Sequence, residues 1–222
     1  MSKKDNISMS VVRRLPRYYR YLSELVRNGT LRISSRELAE RMGLTASQIR
    51  QDLNCFGGFG QQGYGYDVPN LFNEIAKILG VSSSYPAILV GCGNLGRAVS
   101  AYMSGTSKAF HLVAAFDSSP EKIGKTLSDV SLPIIDTAEM AEFCRENHPK
   151  AAILCIPQSA AKNVVETLYD AGIRFFWNFS HYDIAMVYDD AVVENVHITD
   201  SMLTLCYEIT CIENSDAEIE EG

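Results

Sequence analysis

The sequence lacks any run of apolar residues close to the roughly 18 that a helix needs to cross a bilayer, which excludes a membrane-spanning protein. The charged residues near the N-terminus, Lys3, Lys4 and Asp5, are unlike the apolar segment of a secretory signal. The six cysteines are scattered along the chain instead of forming a disulfide framework, and we expect buried thiols in a reducing compartment. These absences predict a cytoplasmic protein.

Histidine is also scarce, and no histidine has neighbours with the spacing of metal ligands. The four histidines lie at positions 111, 148, 181 and 197. Cys144 and His148 are four residues apart on a predicted helix, but no further ligands are spaced to complete a site around them. The sequence therefore predicts no metal site.

Positive charge is in short supply over the whole chain, whose net charge of −7 by itself argues against a nucleic-acid partner. The two parts of the chain differ, however. Residues 1–80 hold 12 lysines and arginines against 7 acidic residues, whereas residues 81–222 hold 8 against 20. This asymmetry predicts a basic, nucleic-acid-facing module joined to an acidic one.

Two helix-capping signals follow one another in the basic part. Residues 34–37 are Ser-Ser-Arg-Glu, an S-x-x-E capping box, and residues 45–48 are Thr-Ala-Ser-Gln, a T-x-x-Q box. The turn between the two predicted helices is about four residues long, which is typical of a helix-turn-helix. A helical bundle with a solvated basic face is the alternative.

The second helix of such a pair lies in the major groove, where arginine pairs with guanine and glutamine with adenine. The outward positions of this helix, which we expect to contact bases, are Ala46, Ser47, Gln48, Arg50 and Gln51. The arginines available to neutralise phosphates are Arg13, Arg14, Arg17, Arg32, Arg36 and Arg41. The predicted DNA-binding set also includes the cap residues Ser34 and Thr45.

Glycine and aromatic residues alternate over residues 56–66, a pattern that cannot form a helix and favours a tight hairpin. Behind a helix-turn-helix, such a hairpin is a candidate wing that touches the minor groove or the phosphate backbone. Its predicted contact residues are Gly58, Gln61, Gln62 and Tyr64. The alternative is a structural hairpin that only packs on the helices.

A strand and a glycine-rich loop mark the start of the acidic part. The buried-strand run at residues 87–90 is followed by a G-x-G-x-x-G loop and a helix, which is the context of a dinucleotide-binding turn. The loop residues expected to contact the cofactor are Gly91, Cys92, Gly93, Asn94, Leu95 and Gly96. The next strand ends in Asp117, 21 residues beyond Gly96, where a carboxylate favours NAD(H) over NADP(H).

Strands and helices continue to alternate, with the last strand expected at residues 196–198, and this predicts a doubly wound parallel sheet. Ligands bind beyond the carboxyl ends of such strands. The residues expected beside the nicotinamide are therefore Ile156, Pro157, Asn178, Phe179 and Ser180. Because the sheet uses residues 87–200 and leaves no second catalytic domain, we expect the cofactor to be sensed and the protein not to be an enzyme.

The predicted fold is α/β, with an N-terminal winged helix-turn-helix domain (1–80), a linker (81–86) and a Rossmann-type domain (87–199). An apolar helix (200–212) has nothing left to cover in its own core and is expected to pack on a second copy. The acidic tail (213–222) is expected to be disordered. A helix-turn-helix protein usually reads two half-sites as a dimer, so the expected partners are palindromic operator DNA and a second copy of the chain.

Over nearly its whole length the chain resembles the redox-sensing transcriptional repressor Rex family of bacteria. The motifs that support this resemblance are Arg14-Leu15-Pro16, Tyr19-Arg20-Tyr21-Leu22, Ser34-Ser35, Gln48-Ile49-Arg50-Gln51-Asp52-Leu53, Gly63-Tyr64-Gly65-Tyr66, the Gly91–Gly96 loop and Asn178-Phe179. The resemblance implies a homodimer with swapped C-terminal helices that represses genes of anaerobic and fermentative metabolism. It also implies that NADH closes the dimer and releases DNA, whereas NAD+ competes and permits DNA binding.

The same resemblance implies roles for individual residues. Tyr102 resembles a tyrosine that senses the nicotinamide, and Arg20 resembles an arginine that couples the two domains. The partner of that arginine is an acid in the family, where this chain has His197, with Asp200 three residues on. Ser180 and the residue after it stand where the family commonly has Ala-Pro.

Other functions remain open from the sequence. One is an NAD-dependent oxidoreductase with an accessory winged helix, and another is a regulator that senses a CoA-type nucleotide on a similar Rossmann core. A thiol switch through Cys92 or Cys155 is a further alternative, although both are expected to be buried without a nearby cation.

Overall fold

The computed structural model describes residues 7–61, 64–106 and 109–220, and it divides the chain between Ser83 and Ser84 into two compact units. The helices of the first unit are α1 (Met9–Val12), α2 (Leu15–Arg27), α3 (Ser35–Met42), α4 (Ala46–Asn54) and α5 (Val68–Leu79). Its strands are β1 (Arg32–Ile33), β2 (Gly60–Gln61) and β3 (Gly65–Asp67). This order of elements is a winged helix-turn-helix, which confirms the prediction.

The helices of the first unit pack around one apolar core because each carries apolar residues at helical spacing. The buried residues of α2 are Leu15, Tyr18, Leu22 and Leu25. Pro16 lies in the first turn of α2, where a missing amide costs no hydrogen bond, and α1 forms a short helix before it. The apolar residues that α3 and α4 bury most completely are Leu38, Met42, Ile49 and Leu53.

The glycine and aromatic segment forms the expected hairpin, and a third strand joins it. β2 and β3 pair antiparallel, with Gly60 opposite Tyr66. β1 pairs antiparallel with β3 on its other side, so that Arg32 lies opposite Asp67. A two-residue strand gives no periodic signal, which is why β1 was not predicted.

The second unit is a seven-stranded sheet with helices on both faces. Its strands are β4 (Tyr85–Val90), β5 (Phe110–Asp117), β6 (Thr126–Leu127), β7 (Leu132–Asp136), β8 (Ala151–Leu154), β9 (Phe175–Asn178) and β10 (Val192–Asn195). Its helices are α6 (Asn94–Thr106), α7 (Met140–Asn147), α8 (Gln158–Asp170) and α9 (Ile198–Glu220). The strand order is β10-β9-β8-β4-β5-β7-β6, and the strands pair in parallel except for β6 with β7. The doubly wound sheet is thus confirmed, with an unexpected antiparallel edge.

The two faces of this sheet are covered by different helices. Ile88 of β4 belongs to a buried cluster with Met140 of α7 and Val165 of α8. The next residue, Leu89, belongs to a separate cluster with Met103 of α6. Because successive residues of a strand point to opposite faces, α6 covers one face of the sheet, and α7 and α8 cover the other.

Three expectations about boundaries differ from the structure. The last strand is residues 192–195 instead of 196–198, because the chain has already begun to turn into α9 at Ile198. α9 continues to Glu220, through most of the segment that was expected to be a disordered tail. The last two residues of the predicted linker, 81–86, already belong to β4.

Candidate nucleic-acid interface and dinucleotide site

The α3–α4 pair is held in helix-turn-helix geometry by its caps. The Ser34 hydroxyl accepts from the Glu37 amide at 3.1 Å, and the Glu37 carboxylate accepts from the Ser34 amide at 2.8 Å. α3 ends at Gly43, and the Thr45 hydroxyl accepts from the Gln48 amide at 3.1 Å to start α4. The segment between the helices is therefore a short, fixed turn that sets the direction of α4.

α4 presents one exposed polar face. Its exposed polar residues, together with its N-cap, are Thr45, Ser47, Arg50, Gln51 and Asn54. Asn54 was not among the predicted contacts, although it completes the i, i+3, i+4, i+7 spacing that begins at Ser47. Ala46 and Gln48 are only partly exposed, so the exposed face of α4 is narrower at its N-terminal end than expected.

A buried carboxylate on the inner face of α4 accepts four hydrogen bonds. Asp52 is 1% exposed and accepts from Arg14 Nε and Nη2, both at 2.7 Å. It also accepts from the Tyr18 hydroxyl at 2.9 Å and from Gln48 Nε2 at 2.8 Å. Burial acts to raise the pKa of Asp52, but the three hydrogen-bonding side chains outweigh it and hold the pKa below its usual value. Asp52 is therefore charged at neutral pH.

This network includes two residues that were predicted to contact DNA, Arg14 and Gln48, and their contacts with DNA stay predictions. Arg14 forms a two-point ion pair with Asp52, which the sequence did not predict, and its side chain remains 30% exposed. The Gln48 side chain turns inward to Asp52 rather than back to the Thr45 amide. The predicted T-x-x-Q box is thus half formed, because only the Thr45 hydroxyl takes part in it.

Three other arginines predicted to contact DNA are exposed, and two of them, Arg17 and Arg50, donate hydrogen bonds within the unit. Arg17 donates through Nη2 to the carbonyl of Met42, the last residue of α3, where a cation also opposes the negative end of the helix dipole. Arg50 donates through Nη1 to the Ser35 hydroxyl at 3.1 Å. Arg36 is exposed on α3. Contacts of these three arginines with DNA stay predictions.

The wing hairpin gains a cation from β1. The Arg32 guanidinium lies 5.9 Å from the centre of the Tyr64 ring, and Arg32 Nη1 donates to the Tyr64 carbonyl at 3.4 Å. Gly58 and Tyr64 are both exposed. Gln62 lies outside the described residues, and only the backbone of Gln61 is described. The pairing with β1 therefore brings to the wing a positive charge that suits a phosphate contact.

The glycine loop between β4 and α6 has the close contacts expected of a dinucleotide turn. Gly91 has a φ of +95°, and Gly96 lies so close to the Gly91 carbonyl that a Cβ atom on Gly96 would collide with it. A Cβ atom on Gly93, in contrast, would meet nothing within 4 Å. Asn94 and Leu95, the first residues of α6, are exposed beside it. Gly93 thus borders open space at a helix N-terminus, where a pyrophosphate approaches the backbone in such turns.

Asp117, at the end of β5, is held by three donors from its own unit. Its carboxylate accepts from the Cys92 amide at 2.8 Å, the Ser119 amide at 2.9 Å and Lys122 Nζ at 2.9 Å. Burial acts to raise the pKa of Asp117, but these donors, with Lys122 foremost, lower it below its usual value. Cys92 is 2% exposed and its amide donates to Asp117, which shapes the loop, and a contact between Cys92 and a cofactor stays a prediction.

The carboxyl ends of the central strands bring the predicted cofactor residues to one edge of the sheet. Ile156, just after β8, lies next to the glycine loop, since a Cβ atom on Gly91 would be 2.8 Å from Ile156 Cγ2. Pro157 follows it and is exposed. Phe179, just after β9, is partly exposed, and its amide donates to the Leu154 carbonyl at 3.0 Å. The structure therefore places Ile156, Pro157 and Phe179 on the side of the unit that carries the glycine loop.

Asn178 and Ser180 support this edge from inside. Both are buried, and the Ser180 hydroxyl donates to Asn178 Oδ1 at 2.6 Å. Asn178 Nδ2 donates to the Tyr182 carbonyl at 2.9 Å and to Asn195 Oδ1 at 2.8 Å. Since these side chains are paired within the unit, they hold the loop in shape, and their contacts with a nicotinamide stay predictions.

Tyr102 lies on a different part of the second unit from the glycine loop. It is 62% exposed on α6 and lines an apolar cavity of about 500 Å³. Phe110, Phe175 and Val192 line the same cavity, and they are the first residues of β5, β9 and β10. The cavity therefore lies towards the amino ends of the strands, opposite the edge that carries the glycine loop. A contact between Tyr102 and a nicotinamide stays a prediction.

A pair of histidines lies beyond the ends of β9 and β10. Nδ1 of His181 and Nδ1 of His197 are 2.8 Å apart, and the ring centres are 4.8 Å apart. The Asp200 amide donates to the His197 carbonyl at 3.2 Å. Arg20, the predicted coupling residue, is exposed on α2 of the first unit. Its contact with His197 or Asp200 stays a prediction.

The cysteines are less buried than expected. Cys92 and Cys144 are buried and Cys155 is partly buried. The exposed ones are Cys55, Cys206 and Cys211. Burial raises the pKa of Cys92 to about 11 and that of Cys155 to about 12. Both thiols therefore stay protonated at neutral pH, which argues against a thiol switch at these two positions.

Residues 7–61, 64–106 and 109–220 contain neither a group of metal ligands nor a membrane-spanning helix. There, no three histidine, cysteine or acidic side chains are grouped so that they could hold a metal ion. In the same ranges, no helix is long and apolar enough to cross a membrane. Cys144 and His148, the pair closest to ligand spacing in the sequence, line an open cleft at the end of α7.

Comparison with known proteins gives matches in both units. The family described as DNA-binding protein N-terminus matches residues 6–54, and the family described as CoA binding domain matches residues 82–182. The redox-sensing transcriptional repressor Rex of Thermoanaerobacter pseudethanolicus is 51% identical over 209 residues, which cover 94% of this chain and 92% of that protein. The protein of the same name from Clostridium beijerinckii is 49% identical over 207 residues, 93% of this chain and 97% of that protein.

Solved structures of RSP, a Rex-family repressor, have the same fold. The crystal structure of RSP in complex with β-NAD+ and operator DNA matches with a TM-score of 0.87 and 46% identity, covering 96% of each chain. The crystal structure of RSP in complex with β-NADH matches with a TM-score of 0.85 and 44% identity, covering 95% of this chain and 98% of that chain. These matches extend across both units.

Proposed function

The chain belongs to the Rex family of redox-sensing transcriptional repressors, and we propose that its second unit controls DNA binding by its first unit through NADH. It is a DNA-binding repressor that senses NADH and NAD+, and it is not an enzyme. The observation that carries the proposal is the open position at Gly93, which precedes α6 and follows Cys92, the residue whose amide donates to the ionised Asp117. A dinucleotide cradle and an exposed DNA-reading helix thus occur in one chain.

The residues around the glycine loop fit a dinucleotide. Backbone amides at the start of α6 and the positive end of its dipole favour the pyrophosphate. The Asp117 carboxylate accepts from ribose hydroxyls and repels a 2′-phosphate, which favours NAD(H) over NADP(H). Ile156, Pro157 and Phe179 flank the nicotinamide. NADH and NAD+ differ in the charge of that ring, and sensing the difference requires no reaction.

A homodimer with exchanged α9 helices is part of the proposal. Every residue of α9 from Ile198 to Asn214 is exposed, and the apolar ones include Met202, Leu203, Leu205, Tyr207, Ile209 and Ile212. At the apolar cavity beside Tyr102 and Trp177, no helix among the described residues covers this part of the sheet face. An exposed apolar helix and an exposed apolar face both indicate a partner. In a two-fold dimer, α9 of each subunit covers the exposed sheet face of the other. The same dimer presents two copies of α4 to a palindromic operator.

In this dimer NADH closes the protein by binding the DNA-incompetent state more tightly than the DNA-binding state. A shift from nearly all DNA bound to nearly all DNA released requires about 5 kcal/mol of differential cofactor affinity. We assign the sensing of the nicotinamide to Tyr102. Because Tyr102 lies away from the glycine loop of its own chain, it would sense the nicotinamide that is bound to the other subunit of the dimer. Arg20 with His197 or Asp200 would couple the two units. We also place the protein in the cytoplasm, where NADH and operator DNA occur together.

Titrating NADH into a complex of the protein with DNA tests the proposal. The DNA is a palindrome selected by this protein from a random pool, and release is followed by fluorescence anisotropy. We expect NADH to release the DNA and NAD+ to reverse the release. No release at any ratio of NADH to NAD+ would overturn the proposal.

Two glycine variants in the same segment sharpen this experiment. Gly93→Ala places a Cβ atom in the open position without meeting protein atoms within 4 Å. It should still bind DNA but should need a much higher NADH concentration for release, because the methyl group occupies the space that the pyrophosphate approaches. Gly105→Ala is the matched control on α6, where the new Cβ atom also meets nothing within 4 Å, and it should respond to NADH like the wild type.

The match of residues 82–182 to the CoA binding domain family favours one alternative, a regulator that binds a CoA-type nucleotide. CoA carries a 3′-phosphate on its ribose, and the Asp117 carboxylate would repel that charge. The same titration with CoA in place of NADH separates the two. Release by CoA but not by NADH would replace the proposal with this alternative.

A further inference from the structure

Asp52 lies on α4, the helix proposed to contact base edges, but neither DNA binding nor cofactor binding explains its buried carboxylate. It is 1% exposed, on an inner face of α4 that is otherwise apolar, with Ile49 and Leu53 as its neighbours. An apolar side chain at this position would avoid the desolvation cost of a buried charge. The position of the charge therefore depends on the donors that surround it.

The donors around Asp52 come from two helices. Arg14 contributes two nitrogens and Tyr18 its hydroxyl, so the start of α2 fixes the carboxylate from one side. Gln48, one turn earlier on α4, donates Nε2 to Asp52 Oδ1 at 2.8 Å. The carboxylate therefore connects a fixed part of the domain to a side chain at the N-terminal end of α4, the end that contacts base edges in helix-turn-helix proteins.

This contact orients the Gln48 amide. A glutamine amide has a donor end and an acceptor end of nearly the same shape, and it can present either one to a partner. An ionised carboxylate only accepts, so Asp52 binds the NH₂ end of Gln48 and repels the oxygen end. One hydrogen of the NH₂ group is used in this bond, so the amide oxygen of Gln48, its only acceptor, and the second N–H are left for other partners, in an orientation that Asp52 sets. Gln48 is partly exposed and follows directly on Ser47, which belongs to the exposed face of α4.

We propose that Asp52 is a positioning residue for sequence readout, which holds Gln48 with its amide oxygen towards the major groove. Adenine N6 and cytosine N4 are the base donors presented there, so Gln48 accepts from the exocyclic amino group of one base. The inference rests on the proposed function, because it requires α4 to lie in the major groove. It deepens that function by specifying which chemical group one residue reads.

The variant Asp52→Asn tests the inference, because asparagine keeps the size of the side chain but both donates and accepts, and so no longer orients Gln48. Binding is measured to the selected operator and to a panel in which each base pair of a half-site is replaced in turn. We expect the wild type to discriminate about tenfold or more at one pair that presents adenine or cytosine to Gln48. The variant should lose discrimination at that pair alone. The panel also shows which of the two bases is read.

A charge-matched control separates positioning from general electrostatics. Asp52→Asn removes one negative charge from a DNA-binding domain, which by itself strengthens binding to phosphates. Glu40→Gln removes the same charge from an exposed position on α3 and should strengthen DNA binding slightly with discrimination unchanged. The NADH affinity of the free protein should be the same in the wild type and in both variants.

A second variant keeps the test decisive if Asp52→Asn does not fold, since that variant leaves Arg14 without its charged partner. Gln48→Met keeps the length of the side chain but has no amide, and it leaves the bonds from Arg14 and Tyr18 to Asp52 in place. It should lose discrimination at the same base pair. In the double variant the loss at that pair should be no larger than in Gln48→Met alone, because both changes remove one contact.

The outcomes that contradict the inference are distinct from failure of the proposed function. Full discrimination at every pair in Gln48→Met, or in a folded Asp52→Asn protein, would overturn the inference. So would a loss of discrimination spread evenly over all pairs, because that result indicates a merely structural role for Asp52. A wild-type protein that selects no DNA, or whose DNA is not released by NADH, would instead contradict the proposed function.

Discussion

Each unit of the chain buries one carboxylate at its functional element, and the two carboxylates are held in different ways. Asp52 in the first unit is 1% exposed and receives four hydrogen bonds, all from side chains. Asp117 in the second unit is 7% exposed and receives three, two of them from backbone amides. In both, burial acts to raise the pKa, and a cation, Arg14 or Lys122, helps to lower it.

The two carboxylates have different hydrogen-bond donors because they lie on different elements, Asp52 on a helix and Asp117 at the end of a strand. Asp52 is enclosed by helices, and its one partner on the reading helix is Gln48. Asp117 stands at the end of a strand beside the glycine loop, and the side chain of its partner Lys122 is 39% exposed. In our proposals, the carboxylate that is fixed by side chains orients Gln48, whereas the carboxylate at the strand end binds the ribose of the cofactor.

The largest expected effect is on stability, at Asp52. Asp52→Ala leaves the Arg14 guanidinium, whose side chain is only 30% exposed, without its partner. The expected cost is about 3 kcal/mol in the free energy of unfolding of the first unit, since breaking a buried ion pair leaves an uncompensated charge. Hydrogen exchange of buried amides in α2 and α5 measures this cost separately from the second unit. An equal loss of protection in both units would contradict the expectation that Asp52 stabilises the first unit alone.

The stability difference between wild type and Asp52→Ala should depend on pH. The pKa of Asp52 is lowered in the folded state, so its contribution is complete above the unfolded-state pKa of about 3.9 and is lost as the pH falls through the folded-state value. The difference should therefore be constant near neutral pH and shrink below about pH 4. Urea unfolding across the pH range checks this. A difference that does not shrink in acid would show that the carboxylate adds no charge-dependent stability.

The next largest effect is on cofactor affinity, at Asp117. Asp117→Ala loses the acceptor for the ribose hydroxyls, and NADH should bind about a hundredfold more weakly, since hydrogen bonds to charged groups contribute about 1.5–3 kcal/mol each. The variant also lacks the carboxylate that pairs with Lys122, so Lys122 can pair with the 2′-phosphate of NADPH. NADPH should therefore bind the variant better than the wild type. Isothermal titration calorimetry with both nucleotides measures these changes.

The control for Asp117→Ala is Asp129→Asn, which removes an exposed carboxylate from the same unit and should leave both affinities unchanged. DNA binding by Asp117→Ala without cofactor should equal that of the wild type, which would separate this carboxylate from Asp52. If the variant still prefers NADH to NADPH as strongly as the wild type does, Asp117 does not select the cofactor.

The same two carboxylates show how far a sequence can predict a site. Asp117 was predictable because a strand, a glycine loop and a second strand fix its place through local patterns. The position of Asp52 was also visible, since it shares the inner face of α4 with Ile49 and Leu53. Its partners were not, because Arg14 and Tyr18 are 38 and 34 residues away in the chain. Sequence reasoning therefore assigned Arg14 to DNA instead of to Asp52.

The fold shows the same limit. The capping box predicted the start of α3 because a cap acts within one turn. β1 and β6 have two residues each and exist only through pairing with β3 and β7, which no local pattern specifies. The acidic composition of residues 213–220 predicts disorder, but glutamate and alanine are good helix formers, and α9 continues through this segment.

The smallest effect is expected at the wing, where the charge lies on the surface. Arg32→Ala removes the guanidinium beside Tyr64 and should weaken binding to all DNA sequences alike, by about 1 kcal/mol, with the slope of log affinity against log salt reduced by about one. Arg27→Ala, exposed in the last turn of α2 and outside the predicted DNA surface, should leave that slope unchanged. A loss confined to one base pair would mean that the wing also reads sequence. Arg32 would then read a base without a buried carboxylate to orient it, so orientation of the kind that Asp52 gives Gln48 would not be required for sequence readout.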